Sequence, residues 1–142
     1  MYKKILLAID LGDGTAEITG RAANLAKTYD AQLSVLHVVE YIPVEPMGEA
    51  VLPAINFEDD LVKTARRRLD DLLKKSGLQD CDSEVAVGSV KSEIIRRASD
   101  LGADLIVIGS LERHGLGVLV NLTEDTVLHA ASCDVLAVRI KQ

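Results

Sequence analysis

The feature that most constrains the fold of this chain is a regular alternation between short apolar runs and segments with helical periodicity. Ile5–Ile9 is a continuous apolar run, which is typical of a strand covered on both faces. Thr15–Tyr29 then places its apolar residues on one helical stripe. The alternation continues along the chain and predicts strands at Ile5–Ile9, Leu33–Val39, Glu84–Val87, Leu105–Ile108 and Val135–Ile140, and helices at Thr15–Tyr29, Asn56–Ser76, Val90–Leu101 and Glu124–Ala131.

The predicted order βαβαβαβαβ indicates an α/β fold: a doubly wound, five-stranded, mainly parallel sheet with four helices on its two faces. Ligands of such sheets bind at the carboxyl ends of the strands, near the point where the strand order reverses. The candidate positions are Asp10 after the first strand, Val38-Val39 at the end of the second, Gly88-Ser89 after the third and Gly109-Ser110 after the fourth.

The composition narrows the classes of function. A chain of 142 residues suits a single domain. Aromatic residues make up only 3% and the net charge is −6, so base stacking and attraction to a phosphate backbone are both weak, and we expect no nucleic-acid partner. No apolar stretch has the length of a membrane span or of a signal-peptide core, so we expect a cytoplasmic protein with no membrane partner.

The segment Glu40–Ile55 predicts an unusually long loop, because it contains Pro43, Pro46, Gly48 and Pro53. Long loops often bind partners, so protein partners are expected at the 40–55 loop. In the helix that follows, three consecutive arginines at 66–68 lie mostly off the apolar face and close to aspartates. A solvated face is expected there, not an anion site.

Complete motifs for phosphate binding or catalysis are missing. Gly88–Ser92 resembles the end of a P-loop, but Val90 stands where a P-loop needs glycine before its lysine. Gly88 also occupies the position at which a receiver domain would carry its phospho-acceptor aspartate. No nucleophile and base stand out, so we expect no enzyme.

The scattered histidines and cysteines predict neither a metal site nor a disulfide. His37 lies inside a predicted strand and is expected to pack in the core, whereas His129 lies in the last helix. His114 is the one histidine with a plausible functional position, in the glycine-bearing loop. Cys81 and Cys133 are far apart in the sequence and have no metal-like spacing.

Asp10 has two interpretations. It ends the first strand and opens the turn Asp-Leu-Gly-Asp-Gly, where a carboxylate can cap the backbone amides at Gly14-Thr15. It also stands where a ligand's base or ribose would bind. Spacing alone does not separate the two.

The chain resembles the universal stress protein family. The resemblance rests on AID near the N-terminus, LHVV on the second strand, VG before the third helix, and then GADLIVIGS, RHGLG and CDVLAVR. It covers nearly the whole of residues 1–142 and implies one Rossmann-like domain, which dimerises commonly through its last strand. The family includes members that bind ATP and members, such as the A-type protein, that do not.

The resemblance also implies where ATP would bind. ATP-binding members share a Gly, two residues, Gly, eight or nine residues, Gly and then Ser or Thr. Gly109 matches the first glycine, but Glu112 replaces the second. Asn121 replaces the third glycine and Leu122 replaces the hydroxyl residue.

The remaining family positions are kept. Asp10 matches the nucleotide-contacting aspartate and Val38 matches the adenine-contacting strand position. These two residues, together with Gly109, Ser110 and Gly115, form the vestigial nucleotide site that the resemblance implies.

The residues that replace the phosphate motif oppose a phosphate. Unit charges ~4 Å apart repel by about 4 kcal/mol in a moderately screened protein site, which sets an upper value for Glu112 against a phosphate. Glu124 and Asp125 already complement the positive end of the last helix. We therefore predict a regulatory binding module without a cofactor. The alternative is an ATP-binding member that uses Mg²⁺, with slow or no hydrolysis.

The last strand, in the sequence CDVLAVRIKQ, is apolar. An edge strand offers unpaired backbone groups, which pairing with a symmetry mate would cover. An interior strand would have no free edge. Together with the family resemblance, this favours a homodimer through the C-terminal strand.

Overall fold

A computed structural model of the chain describes residues 1–40, 51–111 and 122–140. Within these ranges nine elements follow one another in the predicted order. They are β1 (Lys4–Ile9), α1 (Thr15–Tyr29), β2 (Gln32–Val39), α2 (Val51–Lys75), β3 (Asp82–Val87), α3 (Val90–Leu101), β4 (Leu105–Leu111), α4 (Leu122–Ala130) and β5 (Asp134–Ile140).

The strands form one sheet in the order β3-β2-β1-β4-β5. All four ladders are parallel, so the predicted Rossmann-like fold is confirmed. The chain builds outward from β1 to β2 and β3, and then crosses to β4 on the other side of β1. The strand order therefore reverses between β1 and β4, and β3 and β5 are the edges.

The sheet is covered by two helices on each face, and its core is aliphatic. Successive side chains of a strand point to opposite faces. One apolar layer, beneath α1 and α2, includes Leu7 and Leu69, both fully buried. The other, beneath α3 and α4, includes Leu6, Ile106 and Val127, also fully buried. Burying an aliphatic side chain of this size stabilises the fold by roughly 1.5–3 kcal/mol.

The predicted loop at 40–55 is wrong in its last five residues, 51–55. α2 begins at Val51 and not at Asn56, and it runs through Pro53. Proline is compatible with the first turn of a helix because the N–H groups there have no intrahelical acceptor. The remainder of the predicted loop, residues 41–50, lies outside the described ranges.

Candidate functional site

The sheet divides at the carboxyl ends of its two central strands. The ladder between β1 and β4 ends at the pair Leu7 and Val107. The ladder between β1 and β2 continues to Ile9, and the ladder between β4 and β5 continues to Leu111. β1 and β4 thus separate from each other while each stays paired with its outer neighbour. The crevice that results lies at the reversal of strand order, where α/β sheets bind ligands.

Four of the predicted site residues lie at this edge of the sheet. Asp10 follows β1, and Val38 lies beside it on β2, one residue after the register pair of Ile9 and His37. Gly109 and Ser110 lie near the end of β4, across the crevice. Val38 is buried under α3 and α4, whereas Asp10 is exposed. The fold therefore places these four positions at the carboxyl ends of three neighbouring strands.

Four other predicted positions are not placed. Gly115, Glu112 and Asn121 lie outside the described ranges, as does His114. Leu122 is the first residue of α4, which begins earlier than the predicted start at Glu124. Where Glu112 and Asn121, which replace glycines of the phosphate motif, would lie relative to a ligand thus stays a prediction from the sequence.

The Asp10 carboxylate is part of its own turn. The Gly12 N–H donates a hydrogen bond of 2.9 Å to Asp10 Oδ1. The Thr15 hydroxyl donates to the Gly12 carbonyl at 2.6 Å and lies 3.4 Å from the same Oδ1. The predicted capping role is thus correct in kind, but the amide that is capped is Gly12, not Gly14-Thr15. The hydrogen bonds that Asp10 accepts from described residues go to Oδ1, and none of those residues bonds to Oδ2.

Sequence reasoning missed an arginine that holds this turn. Leu11 has a left-handed backbone with φ of 63°, which is unfavourable for a residue with a branched side chain. Arg68 of α2 donates a hydrogen bond of 2.8 Å from Nη2 to the Leu11 carbonyl. Arg67 and Arg68 are exposed, in agreement with the predicted solvated face, and Arg68 in addition reaches the site loop. No local pattern could have found this contact, since it depends on how α2 packs.

Gly109 is closely packed by two isoleucine side chains. A Cβ atom at this position would lie 2.4 Å from Ile18 Cδ1 and 3.0 Å from Ile140 Cδ1. Gly14, at the start of α1, has φ of 82°, and a Cβ there would lie 2.3 Å from Ile140 Cγ2. A side chain at either position would therefore force Ile18 or Ile140 to move. A glycine at 109 has a structural purpose that is independent of phosphate.

His37 also lies at the crevice end of the sheet, where it is half-buried. Its Nδ1 is 2.9 Å from the Ile9 carbonyl oxygen. Because a carbonyl only accepts, Nδ1 carries the proton and a neutral ring would leave Nε2 as an acceptor. His37 is thus not a fully buried core residue as predicted, and its hydrogen bond ties β2 to the end of β1.

No catalytic centre emerges in the described parts of the chain. No group of three metal-ligating side chains is present there. Cys81 and Cys133 are unpaired thiols, and burial raises the pKa of both, aided by nearby aspartates. A raised pKa keeps a thiol protonated, so both are poor nucleophiles at neutral pH. None of the helices in these ranges has the length and apolar composition of a membrane span.

Comparison with known proteins identifies the family. The family model described as "Universal stress protein family" matches residues 1–139. Universal stress protein A homolog 1 of Coxiella burnetii is 39% identical over 142 residues, covering 99% of each chain. Homolog 2 from the same organism is 37% identical over 141 residues, covering 99% of this chain and 97% of its own.

Solved structures agree on the fold. Universal stress protein UspA from Lactobacillus plantarum superposes with a TM-score of 0.72 at 24% identity, covering 97% of this chain and 98% of its own. A universal stress protein crystallised in complex with cAMP gives a TM-score of 0.64 at 24% identity, covering 96% of both chains. From the family match over nearly the whole sequence, the chain belongs to the universal stress protein family.

Proposed function

We propose that this universal stress protein is a cytoplasmic, homodimeric binding module of the stress response that neither catalyses a reaction nor binds MgATP. The observation that carries the proposal is the packing of Gly109. This residue is the one glycine of the ATP motif that the sequence retains, and the contacts of Ile18 and Ile140 with it account for its retention without a nucleotide. The rest of the motif is replaced by Glu112, Asn121 and Leu122.

Electrostatics support the same proposal. A triphosphate needs backbone N–H groups and cations along its path. The segment that would supply them has one carboxylate in the loop and two more, Glu124 and Asp125, in the first turn of α4. Arg113 and His114 offset this charge only in part.

A second candidate function is the binding of an adenosine-like ligand with little negative charge. The crevice between β1 and β4 keeps Asp10 and Val38, the family's nucleotide-contacting positions, at one edge of the sheet. Asp10 Oδ2 can accept a hydrogen bond from a ribose hydroxyl. A protein of the same fold binds cAMP, a ligand with one phosphate charge. Binding of such a ligand would depend less on the altered loop than binding of MgATP does.

We propose that the homodimer forms through β5. β5 is an edge of the sheet, and Leu136 on it is 38% exposed. Leu128 on α4, which packs against β5, is 45% exposed. Large exposed aliphatic side chains beside an open strand edge are typical of a surface that pairs with a second copy. Partner contacts at residues 41–50 stay a prediction, because this segment lies outside the described ranges.

A gain-of-function variant tests the proposal. Glu112→Gly, Asn121→Gly and Leu122→Ser, made together, restore the sequence of the family motif. We expect this triple variant to bind MgATP in calorimetry while the parent protein does not. A correctly folded triple variant that still fails to bind ATP would refute the explanation based on the loop.

A further inference from the structure

The second edge of the sheet, at β3, presents backbone groups that point away from the sheet. The Gly88 N–H donates to the Val39 carbonyl of β2 at 3.0 Å. Because backbone groups alternate in direction along a strand, the N–H and C=O groups of Glu84 and Ala86 also face β2. Those of Ser83, Val85 and Val87 therefore point outward, away from the sheet.

Half of this edge is protected by an arginine. Arg66 of α2 donates to the Ser83 hydroxyl at 2.5 Å and contacts the Ser83 carbonyl at 3.5 Å. Asp70 accepts from the same guanidinium at 2.6 Å and holds it in place. Within the described parts of the chain, no group pairs with the outward N–H and C=O of Val85 and Val87.

A groove of about 640 Å³ runs between this edge and α2. Its apolar lining includes Val62 and Val85, and its cationic lining includes Lys63 and Arg67. Both cations are exposed, and neither forms an ion pair with a described residue.

Glu84 is the carboxylate among the described residues that line the groove, and two arginines neutralise it. Glu84 Oε1 lies 2.9 Å from Arg96 Nη2, and its Oε2 lies 3.0 Å from Arg97 Nε, both on α3. The described lining of the groove therefore carries more cations than carboxylates, although aspartates on α2 lie one helical turn from Lys63 and Arg67.

We propose that the β3 edge binds an extended acidic segment of a partner protein, which adds as a sixth strand and directs carboxylates to Lys63 and Arg67. The backbone groups of Val85 and Val87 would supply the ladder, and the two cations would select the charge. Lys63 and Arg67 are one helical turn apart, ~6 Å along the axis. Alternate residues of a strand are ~6.6 Å apart, so acidic residues at every second position match the spacing of the cations.

Charge decides between an acidic partner and a second copy of this chain. Self-pairing through β3 would place Lys63 and Arg67 of one copy near the same cations of the other, and like charges at close range oppose association. An acidic strand meets no such repulsion. The inference is independent of the nucleotide crevice, which lies at the centre of the sheet and not at this edge.

The test uses the full chain, without nucleotide, and a capped octapeptide in which glutamate alternates with valine. We expect the peptide to bind in fluorescence anisotropy and to slow amide hydrogen exchange at Val85 and Val87. A capped octapeptide in which lysine alternates with valine should not bind. The double variant Lys63→Glu with Arg67→Glu should lower the affinity for the acidic peptide by roughly tenfold or more. The matched control is Lys74→Glu with Lys75→Glu, the same charge change at the end of the same helix, which should leave affinity within about twofold.

A second peptide separates strand addition from simple charge attraction. N-methylation of alternate amides removes backbone donors from the glutamate-valine peptide and keeps its charge. Loss of roughly tenfold or more in affinity is expected if the peptide adds as a strand. The proposal would be overturned if the acidic peptide did not bind, or if the methylated peptide bound equally well. It would also be overturned if the two charge reversals had equal effects, or if the peptide protected amides outside β3.

Discussion

Arg68 Nη2 of α2 lies 2.8 Å from the carbonyl oxygen of Leu11, in the turn that follows β1. The bond links a helix from the second crossover to the loop that carries Asp10. Leu11 holds a left-handed backbone, so the turn depends on contacts that keep it in place. The position of Asp10 at the crevice is therefore set by α2 as well as by β1.

Loss of this contact should loosen the Asp10 turn. We expect Arg68→Ala to lower the free energy of unfolding in urea by up to about 1 kcal/mol. It should also speed hydrogen exchange of the Gly12 amide, which donates to Asp10. Arg67→Ala on the same helix is the control, because Arg67 makes no hydrogen bond with a described residue. Equal exchange at Gly12 in both variants would contradict a positioning role for Arg68.

A side chain at position 109 should destabilise the fold without any ligand. In Gly109→Ala the new Cβ would lie 2.4 Å from Ile18 Cδ1, so we expect a loss of about 1–3 kcal/mol in denaturant unfolding. Gly20→Ala is the control, since nothing lies within 4 Å of a Cβ there. It should raise stability by up to about 1 kcal/mol because Gly20 is in a helix.

Relief of the clash distinguishes packing from other effects of Gly109→Ala. Ile18→Val removes the Cδ1 atom and should recover part of the lost stability when the two changes are combined. Strict additivity of Gly109→Ala and Ile18→Val would show that the two side chains do not interact.

Acid stability should depend on Asp104. Partial burial alone would raise the pKa of this carboxyl, but backbone hydrogen bonds from Lys3 at 2.9 Å and Lys4 at 3.1 Å lower it. The pKa of Asp104 is thus lower in the folded state than in the unfolded chain, where it is ~3.9. The stability that the ionised carboxylate contributes is therefore fully present above pH ~3.9. It is lost as pH falls through the folded pKa.

The corresponding measurement is urea unfolding of the parent and Asp104→Asn between pH 7 and pH 3. The variant should be less stable at neutral pH, and its deficit should shrink below about pH 4. Asp13→Asn, at an exposed aspartate, is the control and should show no such trend. A deficit of Asp104→Asn that is constant with pH would contradict a contribution from the ionised carboxylate.

The β5 edge should determine the oligomeric state. We expect the parent to sediment as a dimer and Leu136→Glu as a monomer, because a buried charge on each copy would face the other across the interface. Tyr29→Glu introduces the same charge at a residue that is also 38% exposed, on α1, and should stay dimeric. A parent that sediments as a monomer, or a Leu136→Glu variant that remains a dimer, would refute the proposed interface.

The sequence predicted the order of elements because each strand and helix carries its own periodicity. Thr15–Tyr29 and Val90–Leu101 have their predicted bounds, since each apolar stripe ends at a clear turn signal. The start of α2 was missed because Pro53 was interpreted as a loop residue, although proline suits a first helical turn.

The sequence could predict only those parts of the site that follow from strand order and local turn signals. Asp10, Val38 and Gly109 could be placed at one edge because the carboxyl ends of parallel strands lie together. The bond of Arg68 to Leu11 and the close contact of Ile18 with Gly109 join distant segments, so no spacing in the sequence indicates them. These contacts change the interpretation of Gly109 from a phosphate residue to a packing residue.

The most direct test of the central claim is titration calorimetry of the purified protein with MgATP, after a denatured sample has been checked for co-purified nucleotide. We predict no released nucleotide and no binding heat up to about 5 mM ATP. Binding in the micromolar range, or ATP released on denaturation, would contradict the account. It would mean that Asp10, Val38 and Gly109 suffice to bind a triphosphate despite Glu112.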